Sequence, residues 1–210
     1  MKTDLIVSYL EELIEDAKCE LNYNKDYELL IAVMLSAQTT DKRVNMVTEI
    51  LFDKYKTLKE LKEANIKDLE KIVRSLGTYT RKAYSVKMIA TNLLENGYNY
   101  VPNNREYLES LPGVGRKTCN VVLANLYNEP CIAVDTHVSR VSIRLGLAKE
   151  SDNVLEIENK LNKIFSKDKL NSLHHRMVLF GRYYCKAIKP ECDGCKLKEI
   201  CKYYTKRQKL

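Results

Sequence analysis

This chain of 210 residues contains no apolar run approaching the length of a membrane span, which argues against a helical membrane protein. Its opening stretch, MKTDLIVSYLEELIEDAK, alternates charged and apolar groups like an amphipathic helix and lacks the apolar centre of a secretory signal. The expected setting is therefore cytoplasmic and reducing, where structural disulfides are disfavoured. Low-complexity linkers and solenoid-period repeats are also missing, so any domain division must come from packing and not from a tether. Strand-like runs are short. The best of them, Cys131–Val134, has neither the length nor the partners of a sheet, and the fold class expected is all-α.

What is present reads as helix almost throughout. Residues 5–17 place Ile6, Leu10, Leu13 and Ala17 on one stripe. Residues 27–37 are apolar nearly all round, as in a helix at the centre of a core. Thr40 or Asp41 caps a third helix, and Asn65 caps another that stops at Gly77. Thr80 opens a helix closing at Gly97, and Asp152 caps one that carries Val154, Ile157, Leu161 and Ile164. Residues 105–111 and 116–127 pair around a glycine turn, 136–145 end at Gly146, and 168–184 run up to the first of four clustered cysteines. The hydrophobic content of 45% suits a folded globule, and the net charge of +7 points to an anionic partner, nucleic acid before acidic membranes.

Three groups of residues carry chemistry. In Leu111-Pro112-Gly113-Val114-Gly115-Arg116-Lys117-Thr118, two glycines allow positive φ and close backbone approach. The N–H groups opening the following helix then form an anion site suited to a DNA phosphate, read without regard to base. An ordinary helical hairpin accounts for the same glycines. A Rossmann or P-loop reading fails, because the spacing is wrong and no strand precedes the turn. Taken alone, Lys117 is a solvated or phosphate-contacting side chain, and Asp135 is a cap for the helix from 136. The tail spacing Cys185-x6-Cys192-x2-Cys195-x5-Cys201 leaves zinc and an iron–sulfur cluster equally open. Cys19, Cys119 and Cys131 read as small buried hydrophobes.

Together, four segments make a specific resemblance. LPGVGRKT resembles the helix-hairpin-helix of the endonuclease III family of DNA glycosylases, and LIAVMLSAQTTD at 30–41 resembles that family's early core helix and SAQ turn. AVDTHVSRVSIRLG at 133–146 resembles its aspartate segment, and HHRMVLFGRYYC at 174–185 resembles the lead-in to its cluster. The resemblance runs from about residue 28 to 201. It implies two helical domains. A helical barrel over 22–129 holds the hairpin near 105–124, and a discontinuous iron–sulfur domain is made of 1–21 plus 130–210. The active groove is expected between them.

The resemblance further implies a base-excision-repair glycosylase that removes oxidised pyrimidines and then cleaves the strand as an AP lyase. Lys117 becomes the nucleophile, made neutral by the helix N-terminus, Arg116 and partial burial, and Asp135 its catalytic carboxylate. Cys185, Cys192, Cys195 and Cys201 become ligands of an architectural [4Fe–4S] cluster. Gln38 is a plug for the vacated stack, and Gly77-Thr78-Tyr79 is a second wedge with Thr78 where the family usually has Leu. From their own positions, Leu111, Gly113, Val114 and Gly115 at the hairpin are candidate DNA contacts, Lys186 and Lys189 either meet phosphates or are solvated surface charges, and His137 reads as a structural or phosphate-side residue. The partner expected is duplex DNA with damaged or abasic sites, bound by a monomer with no membrane association. Relatives acting on mismatched adenine or on mismatched thymine or uracil are disfavoured by Lys117, the former also by the end at Leu210. A non-enzymatic DNA-binding iron–sulfur protein is the alternative from another class.

Overall fold

The computed structural model describes residues 2–208; Met1, Lys209 and Leu210, at the ends of the expected cluster domain, lie outside the described residues. Among the described residues there is helix and no strand. The chain forms two compact units. One is Glu20–Tyr127, and the other joins the residues up to Cys19 with those from Asn128 onward.

The chain opens with α1 (Lys2–Leu13), which belongs to the discontinuous unit. The stripe expected to run to Ala17 stops four residues early. Arg176 takes the next backbone carbonyls outside the helix, its Nε donating to Ile14 at 3.1 Å and its Nη2 to Glu15 at 3.2 Å.

In the continuous unit, α2 (Asp26–Leu35) is buried from Tyr27 through Leu35. An apolar surface of this kind is stable only with neighbours on every side, and α2 packs on α3 (Asp41–Lys54), α6 (Tyr79–Glu95) and α8 (Arg116–Tyr127). Its start is fixed by the buried Glu28, whose carboxylate accepts from the N–H of Asn24 and Lys25. Thr40 caps α3, as expected, by accepting from Arg43 N. A short helix that periodicity did not reveal, α4 (Leu58–Glu63), is capped by Thr57 and packs on α6. Asn65 caps α5 (Ile66–Val73), and a single 3₁₀ turn, Arg74–Leu76, leads into Gly77. The helix expected from Thr80 begins at Tyr79 instead. Thr78 precedes it in the left-handed region and makes no side-chain cap. Asn104 caps α7 (Arg105–Ser110), the first arm of the hairpin, and α8 is the second.

In the discontinuous unit, α9 (Thr136–Leu145) ends at Gly146 with φ +69°. α10 (Val154–Ile164) is capped by Asn153 and not by Asp152. Asp152 instead accepts from Lys149 N and Lys160 Nζ. α11 (Leu170–Tyr183) follows a 3₁₀ turn at Lys167–Lys169 and packs against α9 and α1. Another short helix, α12 (Lys202–Arg207), lies on α9. One apolar core runs through this unit, from Ile6 and Leu10 through Ile132, Val138 and Leu161 to Met177, Phe180 and Leu197.

Candidate active site

The hairpin turn joins α7 to α8 with little freedom. Gly113 has φ +83°, and a Cβ there would meet Ser85 Oγ at 2.9 Å and Met34 Cγ at 3.1 Å. Gly115 is different, with no positive φ and nothing within 4 Å of its ideal Cβ. Only the first glycine is therefore demanded by the backbone, while the second leaves open space beside the first turn of α8. The opening N–H groups of that turn have no intrahelical acceptor and lie at the positive end of the dipole.

Two expected DNA contacts change character. Leu111 and Val114 are each only 3% exposed, so their side chains pack the hairpin and are not available to a duplex. The N–H of Val114 is also taken, donating to the Leu111 carbonyl at 3.0 Å to close the turn.

Lys117 lies in the first turn of α8 and is exposed, where partial burial had been expected. Among the described residues no carboxylate pairs with its amine.

Two loops of the same unit carry the residues expected to enter the stack. Gln38 is exposed with φ +59°, in a turn where Thr39 N donates to Ser36 O at 3.1 Å. Thr78, also exposed, has φ +42° directly after Gly77. Lys82, which no sequence pattern singled out, is 5% exposed. Its Nζ donates to Ala37 O and to Leu76 O, both at 2.8 Å. Burial lowers its pKa from the usual lysine value.

In the discontinuous unit, Asp135 is the N-cap of α9. Its Oδ1 accepts from Val138 N at 2.7 Å, and its backbone carbonyl accepts from Ser139 N at 2.9 Å. Its other carboxylate oxygen takes no hydrogen bond among the described residues. His137 has a structural place: a Cβ on Gly181 would meet His137 Cβ at 2.8 Å, so α9 and α11 approach closely there. Arg140 Nη2 stands 3.1 Å from His137 Nδ1.

Cys185, Cys192, Cys195 and Cys201 all line one small cavity of about 30 Å³, whose wall includes Leu145, Phe180 and Leu197. Burial raises the pKa of the Cys192 and Cys195 thiols, and a cation bound in the cavity would favour their thiolate forms. Among the described residues no three His, Cys, Asp or Glu side chains converge on a single metal-ion position. Two arginines one turn apart on α9, which sequence reading passed over, clasp Cys185, the first of the four cysteines. Arg140 Nε donates to Cys185 O at 3.1 Å. Arg144 Nη1 donates to Cys185 Sγ at 3.3 Å and Lys186 O at 2.7 Å, and its Nη2 reaches Ala187 O at 3.1 Å. The Arg144 guanidinium also stacks 4.2 Å from the centre of the Tyr203 ring. The signal available was their i, i+4 spacing on a helix whose opposite face is apolar. A donor on one sulfur, apolar walls and four cysteines lining one cavity fit a thiolate-held group.

The loop between the first two cysteines is exposed. Lys186 pairs with Glu191 at 2.7 Å, Lys189 has φ +51°, and Ile188 at the tip is 81% exposed.

Residues 31–167 match the HhH-GPD superfamily of base excision DNA repair proteins. The endonuclease III of Bacillus subtilis (strain 168) is 42% identical over 198 residues, covering 94% of this chain and 90% of that relative. A trapped endonuclease III–DNA covalent intermediate superposes with a TM-score of 0.93 at 44% identity, over 99% of both chains. A non-covalent endonuclease III–DNA complex superposes with a TM-score of 0.94 at 43% identity, over 100% of this chain and 99% of the other. The hairpin, the aspartate-capped helix and the cysteine cavity thus stand in a chain that belongs to the endonuclease III family of the HhH-GPD superfamily.

Proposed function

We propose that this protein is a bifunctional DNA glycosylase and AP lyase of base excision repair, acting on oxidised pyrimidines in duplex DNA. One observation carries the reading. Lys117 stands exposed and without a carboxylate partner in the first turn of α8, in a chain 44% identical to one trapped as a covalent intermediate with DNA.

The chemistry follows from a neutral primary amine. Lys117 Nζ attacks C1′ of an extruded nucleotide, and the glycosidic C–N bond breaks with its electron pair leaving on the base, which is protonated. Loss of a proton from nitrogen and opening of the C1′–O4′ bond, with a proton delivered to O4′, leave an imine between Lys117 and the sugar. The imine acidifies the C2′ proton. Its removal expels the 3′ phosphate from C3′ and cuts the strand 3′ to the lesion. A water nucleophile would release the base but form no imine. Asp135, with one oxygen committed to its cap, supplies the carboxylate that stabilises positive charge on the sugar and accepts or returns protons. Gln38 and Thr78 fill the stack left by the extruded nucleotide.

The four cysteines of the tail hold a [4Fe–4S] cluster. Held by Cys185, Cys192, Cys195 and Cys201, it would supply architecture and not chemistry, tethering the loop whose Lys186 and Lys189 face phosphates.

Borohydride reduction on an abasic duplex tests the assignment. The parent should give a covalent protein–DNA adduct, and Lys117→Ala should give none while still binding the duplex. A variant that traps as well as the parent removes Lys117 as the nucleophile. A parent that binds but never traps leaves the non-enzymatic reading.

A further inference from the structure

Lys82 is a charged side chain placed where charge is costly. It is 5% exposed, and burial lowers its pKa. No carboxylate is paired with it among the described residues, and its partners are two main-chain carbonyls, of Ala37 and of Leu76. A buried cation without a counter-ion destabilises a fold unless hydrogen bonds satisfy it. A methionine would fill the same volume without that cost, so the ammonium at this position has a geometric use.

The two carbonyls show what that use is. Ala37 directly precedes Gln38, and Leu76 closes the 3₁₀ turn before Gly77-Thr78. The two loops are about forty residues apart in sequence, and they meet at one Nζ with two contacts of equal length, 2.8 Å. Each loop also carries a non-glycine residue in the left-handed region, Gln38 at φ +59° and Thr78 at φ +42°. Such backbone conformations persist only where surrounding contacts over-determine them. Both residues are exposed at the loop tips, and the cation lies beneath.

We propose that Lys82 is a positioning residue that fixes the Gln38 and Thr78 loops at one spacing, so that both side chains enter the duplex as a matched pair. Lys82 touches no reacting atom. It acts by holding two strained tips in register before DNA arrives, which removes the ordering cost from the step that extrudes the nucleotide. The short polar Thr78 makes spacing more important, because a small plug fills the gap only from a well-fixed position.

The inference rests on the glycosylase and lyase reading above, and its test separates the two. Trapping by the parent on single-stranded abasic DNA reports the amine chemistry alone, since a single strand has no stack to refill. The ratio of duplex to single-strand cleavage rates reports the plugs. Lys82→Met keeps the stem and deletes the donors. Its duplex rate should fall by about tenfold or more, as expected for a misplaced reactive geometry, with the single-strand rate within about twofold of the parent. Lys82→Arg, which keeps the charge and donors on a different head, should fall between them. Combining Lys82→Met with Gln38→Ala should cost no more than the larger single effect, because each disrupts the same matched pair of plugs. A folded Lys82→Met with the parent's ratio, or a double variant whose effects multiply, overturns the proposal. If Lys82→Met does not fold, Lys82→Gln, too short to span both carbonyls, is read in the same way. If both fail to fold, Lys82 is a core strut and nothing more, which also overturns it.

Discussion

Gly113 and Gly115 differ by one position and by everything that matters to stability. At Gly113 a methyl group meets Ser85 and Met34 on a backbone with φ +83°, whereas at Gly115 it meets nothing. Gly113→Ala should lower stability by about 1–3 kcal/mol, and Gly115→Ala should stay within about 0.5 kcal/mol of the parent. Thermal melts of the two variants check this, and equal shifts would sink it. The fitting companion measurement is duplex affinity, where Gly115→Ala should lose more than its stability change explains if phosphates approach that turn. In sequence the two glycines looked alike. What separates them is Ser85 on α6 and Met34 on α2, distant residues that no local pattern brings together. Leu111 was misread for the same reason: its place beside the turn suggested a surface, and tertiary packing buried it.

Helices were legible where glycine or a side-chain cap marks an end. α8 and α9 fall on the expected bounds because the hairpin turn, Asp135 and Gly146 leave little choice. α4 and α12, each six residues long, are too short for an apolar period to register. Asp152 and Asn153 are both good caps, and only the reciprocal bond from Glu156 decides between them. Lys82 was invisible because a lysine in a helix reads as surface. The segment from Cys185 to Cys201 is held by Arg140, Arg144 and the cavity its own thiols line, with little regular structure of its own. Purified protein should contain iron and acid-labile sulfide in equal amounts, roughly four of each per chain. Stripping the iron should open this segment to proteolysis while the Glu20–Tyr127 unit, which has its own core, keeps its helices. Stoichiometric zinc without iron would remove the cluster assignment.

The whole molecule carries a charge of +7, and its affinity for duplex should fall steeply with salt as counterions are released. Within that slope single lysines are countable. Lys189→Gln should reduce the slope by about one, whereas Lys186→Gln should reduce it less, because Glu191 already neutralises that side chain. Titrations of undamaged duplex over a range of salt measure both, and slopes unchanged by Lys189→Gln would take this loop off the DNA.

The discontinuous unit also has a consequence for biogenesis. α1 leaves the ribosome well ahead of α11, the helix it packs against, which is made more than a hundred residues later. At roughly 5–20 residues per second the interval lasts many seconds. Throughout it Ile6 and Leu10, fully buried in the finished protein, have no mature surface to cover them. The Glu20–Tyr127 unit is complete and able to collapse long before the cysteines emerge. On the proposed cluster assignment, iron would be delivered only after that unit has formed, and a cell short of iron would accumulate molecules with a finished hairpin unit and a tail that cannot close.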